Sequence, residues 1–172
     1  MDIEELILLP EHSQLLVMNS WRHEILHEQR NIIIAEALNS CTVHKGFKLL
    51  GYLITNRRLF LIGSSEVTPF QEVLQYFYHQ VSLGIINYKK MLNLYHDDTY
   101  LLPKNTDELF TKYPFYNVYI RNLITGKEVN SKYYDPRLSR LKNYIHNHKY
   151  SSAVDYAGGK SPVIVDTSAI II

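Results

Sequence analysis

A chain of 172 residues, 46% hydrophobic and 20% charged, is long enough for one domain with an adequate core and has the composition of an ordinary globular protein. A formal charge of +1 excludes a chain-wide basic field, so any nucleic-acid contact must come from local basic clusters. Cys41 is the only cysteine, which excludes an internal disulfide and a cysteine-rich zinc site and fits a reducing compartment. No apolar run approaches the roughly 20 residues of a membrane helix and no signal peptide is evident; the expectation is a cytoplasmic chain with no membrane partner.

Met1 to Pro10 hold a short apolar run, ILLP, among acids and read as a strand or an arm. SQLLVMNSW, Ser13 to Trp21, is a strand candidate. HEILH follows at His23 to His27. On a helix, histidines at i and i+4 share a face, and Glu24 would serve as general base to a zinc-bound water, the arrangement of zinc metallopeptidases. The motif continues EQRN, without the glycine and third histidine of the extended form. Neither Glu28 nor Glu36 is placed as a distinctive third ligand, and the competing reading is an exposed helix start. From Leu26 to Ser40 the pattern is helical, with Ile33, Ala37 and Ser40 or Cys41 at helical spacing and Ile32, Ile34 and Leu38 widening the stripe. The helix is expected to end near Val43-His44, with Gly46 as the break.

FKLLGYLITNRRLFLIGSSE, Phe47 to Glu66, reads as two short strands or one long bent one. Its run Leu59, Phe60, Leu61, Ile62 suits a strand buried on both faces. Arg57 and Arg58 between the limbs put two cations in mid-sheet, where they would need an anionic partner; alternatively they lie in a turn and reach solvent. Thr68 as N-cap, Pro69 as first helical residue and Glu72 in the first turn begin a second helix, with Phe70, Val73, Leu74, Phe77 and Val81 on its apolar face. Gly84 is a candidate interruption before INYKKMLNLY, and Lys89-Lys90 reads as an exposed basic pair. Residues 96–114 read as a connection with one helical turn at Thr106 to Phe110. FYNVYIRNLITG, closed by Gly126, alternates as a strand whose tyrosines and asparagines either pack in the sheet or meet unpaired bases. DPRLSRLKNYIHNHKY is a helix, with Asp135 as N-cap, Pro136 first, Leu138, Leu141 and Ile145 buried, and Arg137, Arg140 and Lys142 more exposed.

Three of these stretches resemble the REP-associated tyrosine transposases, relatives of the single-tyrosine HUH transposases. GYLITNRRLFLIGSSE is similar to their central strand, Gly/Ala-Tyr-Val-Ile-Met-Pro/Thr-Asn-His-hydrophobe-His-Leu-Ile, often followed by Ser-Ser: Gly51, Tyr52, Ile54, Leu61, Ile62, Ser64 and Ser65 fit. LKNYIHN resembles the nucleophile helix, Leu-x-Tyr-Ile-His-Asn-Asn-Pro, and YSSAVDYAGG, Tyr150 to Gly159, the C-terminal signature. The tail VIVDTSAIII resembles the final short strand. The family's Val-x-Ala-Gly loop after the nucleophile helix is missing.

The resemblance implies one HUH-type domain over residues 1–172, with 1–12 an arm and 160–172 a tail. It implies an α+β, ferredoxin-like antiparallel sheet with helices packed on one face. It places Tyr144 at the nucleophile position that would form a 5′-phosphotyrosine link, and implies single-stranded or hairpin DNA as partner, with a homodimer possible. The family's metal positions hold Arg58, Phe60 and His148, two of which replace histidines. The expectation is therefore a degenerate member that keeps DNA affinity through Arg57, Arg58, Arg137, Arg140 and Lys142. Cleavage would be weakened or lost, with no cofactor unless Mg2+ or Mn2+ supports residual activity. The alternative within the family is a metal site rebuilt from His146 or His148 with Asn56 or Glu66.

Overall fold

The computed structural model describes residues 11–92 and 103–168. Strand β1 (His12–Met18) leads through a 3-10 turn (Ser20–Glu24) into helix α1 (His27–Lys45). The hairpin β2 (Lys48–Ile54) and β3 (Arg58–Ser64), helix α2 (Phe70–Met91), a 3-10 stretch (Pro103–Leu109) and β4 (Phe110–Tyr113) follow. The strands order as β2-β3-β1-β4, antiparallel at every pairing. β3 is thereby inserted between β1 and β2, which makes a split β-α-β unit and a ferredoxin-like α+β fold, as expected. Three short helices complete the described chain: α3 (Val118–Ile124), α4 (Pro136–His146) and α5 (Ala153–Tyr156). Among the described residues no helix is long and apolar enough to cross a membrane.

The apolar run in β3 explains the layering. Successive strand residues point to opposite faces: Leu59 and Leu61 join the cluster built with α1 and α2, while Phe60 and Ile62 join one built with α3, α4 and α5. Both long helices therefore lie on one face, and the short helices cover the other. α1 ends where Gly46 takes the left-handed conformation, φ 64°, and its N–H caps the Cys41 carbonyl.

The exposed side of β2 is covered by the YSSAVDYAGG block. Ser151 bridges Leu53, and the Ile54 N–H donates to the Tyr150 carbonyl at 3.0 Å. The Ser152 N–H donates to the Tyr52 carbonyl at 3.0 Å, and its hydroxyl accepts from the Tyr52 N–H at 2.9 Å. The Tyr156 hydroxyl donates to the Leu50 carbonyl at 2.6 Å. This blunts an edge that would otherwise template pairing with another chain. The tail adds a single backbone bond, Asp166 N–H to the Leu49 carbonyl at 2.8 Å. Residues 163–168 form no strand, and 169–172 lie outside the described residues.

Several expectations are corrected. Residues 115–126 are not a strand: Asn117 caps α3 by accepting from the Ile120 N–H at 3.1 Å, and Ile120, Leu123 and Ile124 are buried at helical spacing. The neighbouring strand is β4, which ends at Tyr113, just before this segment. α2 begins at Phe70 with Pro69 as its cap, because the Thr68 hydroxyl donates to the Lys45 carbonyl at 3.0 Å instead of capping. Gly84 does not interrupt α2. It lets α1 approach: a Cβ there would stand 2.8 Å from Cγ2 of Ile33. Lys89 is buried and lies 3.4 Å from Glu24, so Lys89-Lys90 is not an exposed pair. The arm expected at 1–12 lies outside the described residues up to residue 10, and His12 already belongs to β1.

Candidate nucleic-acid interface

α4 starts as its sequence demands. The Asp135 carboxylate accepts from the Arg137 N–H at 2.9 Å and Pro136 occupies the first helical position. Leu138 and Ile145 are buried and Leu141 is half-buried, in the same cluster as Phe60 of β3. The nucleophile-like helix thus lies on the face of the sheet to which β3 turns Arg58 and Phe60. Tyr144 and His148, one helical turn apart, stack with ring centroids 5.1 Å apart and planes 18° apart. Nε2 of His148 donates to the carbonyl of Ile54. Tyr144 is thereby held beside the end of β2, 45% exposed, and partial burial pushes its phenol above the ordinary value. That is the opposite of an activated nucleophile.

The hairpin turn follows Ile54 directly. Thr55 closes it, its N–H donating to the Arg58 carbonyl at 2.8 Å and its hydroxyl accepting from the Arg58 N–H at 3.1 Å. Arg57 and Arg58 are exposed here, which decides between the two readings for the turn that reaches solvent: neither arginine is buried in mid-sheet or carries a burial penalty. Phe60 is buried, its ring edge-on to Phe115 at 5.2 Å. The positions at which the resemblance would put a metal do not fit a divalent cation, since Arg58 brings a positive charge, Phe60 offers no lone pair, and His148 spends Nε2 on a backbone carbonyl.

Helical geometry, about 100° per residue, divides the polar side of α4. Arg137 and Arg140 fall on the flank of Tyr144. Lys142 and His146 fall on the other, where they line a cavity of about 390 Å³ with Gly126, Lys127, Glu128 and Tyr156. Lys142 is therefore separated from the other expected phosphate contacts. Of the residues named for a rebuilt metal site, His146 lines that cavity, while His148 reaches the Ile54 carbonyl, next to the turn that holds Asn56, and spends Nε2 there. The helix face expected for HEILH is also absent. His23 sits in the 3-10 turn, Ile25 is extended (φ -130°, ψ 135°), and only His27 belongs to α1. Among the described residues no three or more His, Cys, Asp or Glu side chains group to hold a metal ion.

Two residues that sequence reading passed over reach the same end of the sheet. The Met18 N–H donates to the Arg57 carbonyl at 2.7 Å, and Arg22 donates from Nη1 to the Met18 carbonyl at 2.7 Å. Arg30 donates from Nη1 to the Arg22 carbonyl at 3.0 Å. Arg22 and Arg30 thus lie near the end of β1, where Met18 pairs with the backbone of the hairpin turn; Arg30 belongs to α1, on the other face of the sheet from Arg58. No family model, curated protein or solved structure matches the chain.

Proposed function

We propose that this chain is a transposase-like DNA-binding protein, related to the single-strand DNA transposases, which recognises single-stranded or hairpin DNA and whose cleavage chemistry is weakened or lost. The observation that carries the reading is the position of Tyr144. Its helix lies on the sheet face of Arg58 and Phe60, and His148 ties it to the end of β2 beside a turn bearing two exposed arginines. Arginine forks suit phosphate oxygens, and clustered cations at one end of the sheet supply the sequence-independent part of DNA affinity. Arg137 and Arg140 extend this basic surface along the Tyr144 flank of α4.

The same site supports loss of cleavage. A phenol with an ordinary pKa near 10 is a weak nucleophile at neutral pH, and here burial raises it further. A divalent cation would polarise the phosphate, but Arg58 and Phe60 offer it no ligands. An arginine in its place binds the phosphate and leaves the phenol unactivated. The test is binding of a single-stranded DNA hairpin with and without magnesium, followed by denaturing electrophoresis. Binding that magnesium leaves unchanged, with no covalent adduct, is the expected result; absence of binding at low salt would remove the reading.

A further inference from the structure

We propose that Arg22 and Arg30 form a phosphate-binding clamp, a site that stands whether or not the chain binds DNA. Both side chains are half-buried, and both spend donors on carbonyls rather than on acids. Arg22 Nη1 reaches the carbonyls of Met18 at 2.7 Å and Asn19 at 3.2 Å. Arg30 Nη1 reaches the carbonyl of Arg22 at 3.0 Å, and its Nη2 donates to Nδ1 of His27 at 2.8 Å. A guanidinium only donates, so that imidazole nitrogen accepts and adds no negative charge. Nε of Arg30 is buried without any hydrogen-bond partner.

The acids that could have neutralised the pair are engaged elsewhere. Glu24 stands 3.4 Å from Lys89, and Glu28 accepts from the Tyr150 hydroxyl at 3.0 Å and lies 3.9 Å from Lys149. Among the described residues no carboxylate comes within ion-pair distance of Arg22 or Arg30. Burial and the neighbouring Arg22 charge both push the Arg30 guanidinium below its ordinary pKa. The fold therefore holds two like charges together with no carboxylate beside them among the described residues, a repulsion that an anion at their remaining donors relieves. A phosphate group fits: its oxygens accept from several guanidinium donors at once, and its charge relieves the repulsion. Whether that phosphate is a free phosphomonoester or part of a nucleic-acid backbone, the recognising chemistry is the same.

The experiment is thermal unfolding of the full chain with three probes at matched ionic strength: inorganic phosphate, a 5′-phosphorylated oligothymidine, and the same oligomer without its terminal phosphate. A rise in Tm with phosphate, and at least tenfold weaker phosphate affinity in Arg22→Gln and Arg30→Gln, is the expected result. Without ligand, Arg30→Gln should be no less stable than the wild type, because it removes a like charge. A response confined to the first two probes assigns the clamp to phosphomonoesters, and a response to all three assigns it to backbone phosphates. Absence of any shift in the wild type, or an equal shift in both variants, overturns the proposal. Should Arg30→Gln fail to fold, the Nε resonance of Arg30 in the wild type decides: movement on phosphate addition supports the clamp, and an unmoved resonance with an unaltered response in Arg22→Gln overturns it.

Discussion

The two faces of the sheet are covered in different ways. On one, Leu59 and Leu61 meet two helices of 19 and 22 residues in an apolar layer that includes Ile34, Leu38, Phe77 and Val81. On the other, Phe60 and Ile62 meet helices of 7, 11 and 4 residues, with Leu15, Phe115 and Leu141 only partly buried at the margin. The thick layer supplies stability and presents little chemistry. Beside the thin layer, at the hairpin turn, stand Tyr144, His148 and the exposed Arg57 and Arg58. Stability and function can then be perturbed separately.

The largest expected effect lies in the thick layer. Leu61→Ala should cost about 2–5 kcal/mol, as truncation of a fully buried leucine does, whereas Leu141→Ala in the thin layer should cost about 1–2 kcal/mol, since less of its surface is removed from water. Urea unfolding measures both, and equal losses would break the comparison. Two strand glycines test the same contrast at closer range. A Cβ on Gly63 would collide with the Phe47 ring in the thick layer, and one on Gly51 would meet the Ile124 carbonyl oxygen at 2.9 Å in the thin one. Both alanine variants should lose about 1–3 kcal/mol from overpacking, Gly63→Ala more.

Alkaline pH should weaken the thick layer next. Burial pushes the Cys41 thiol and the Tyr78 phenol up to about 12, from ordinary values of 9 and 10, and Tyr52 higher still. The folded state holds these protons more tightly than the unfolded chain. Their contribution is therefore complete below about pH 9 and is lost as pH rises toward 12. Unfolding followed against pH should show that decline, and a thiol reagent at pH 8 should label Cys41 only after denaturation. The smallest effect belongs to the exposed site: Tyr144→Phe should change stability by less than about 0.5 kcal/mol, and a larger loss would make Tyr144 a packing residue.

The sequence made the framework legible wherever a local rule had no rival. The unbroken apolar run of β3 required cover on both faces, and Asp135-Pro136 required a helix start; both are observed. Segment 115–126 misled because its alternating aromatics imitate a strand, whereas β4 itself buries only Phe110 of four residues and carries no readable period. At the site, the resemblance singles out Tyr144 and His148, and their separation by four residues sets the two rings on one side of the helix end, where they stack. The sequence groups Lys142 with Arg137 and Arg140 because exposure along a helix does not reveal the flank. That depends on what covers Leu138 and Ile145. Arg22 and Arg30 were hidden for the opposite reason: HEILH reads as continuous helix, and only the extended backbone at Ile25 folds Arg22 back over Arg30.

The central claim is that the end of the sheet at the Arg57-Arg58 turn is where nucleic acid binds. It is tested most directly by the salt dependence of single-stranded hairpin binding in the wild type and in the Arg57→Ala, Arg58→Ala double variant. If each arginine meets a phosphate, the variant should bind at least tenfold more weakly at low salt. The slope of log affinity against log salt should fall by about 1.4, at about 0.7 per phosphate on a single strand. An unchanged affinity and an unchanged slope would contradict the account.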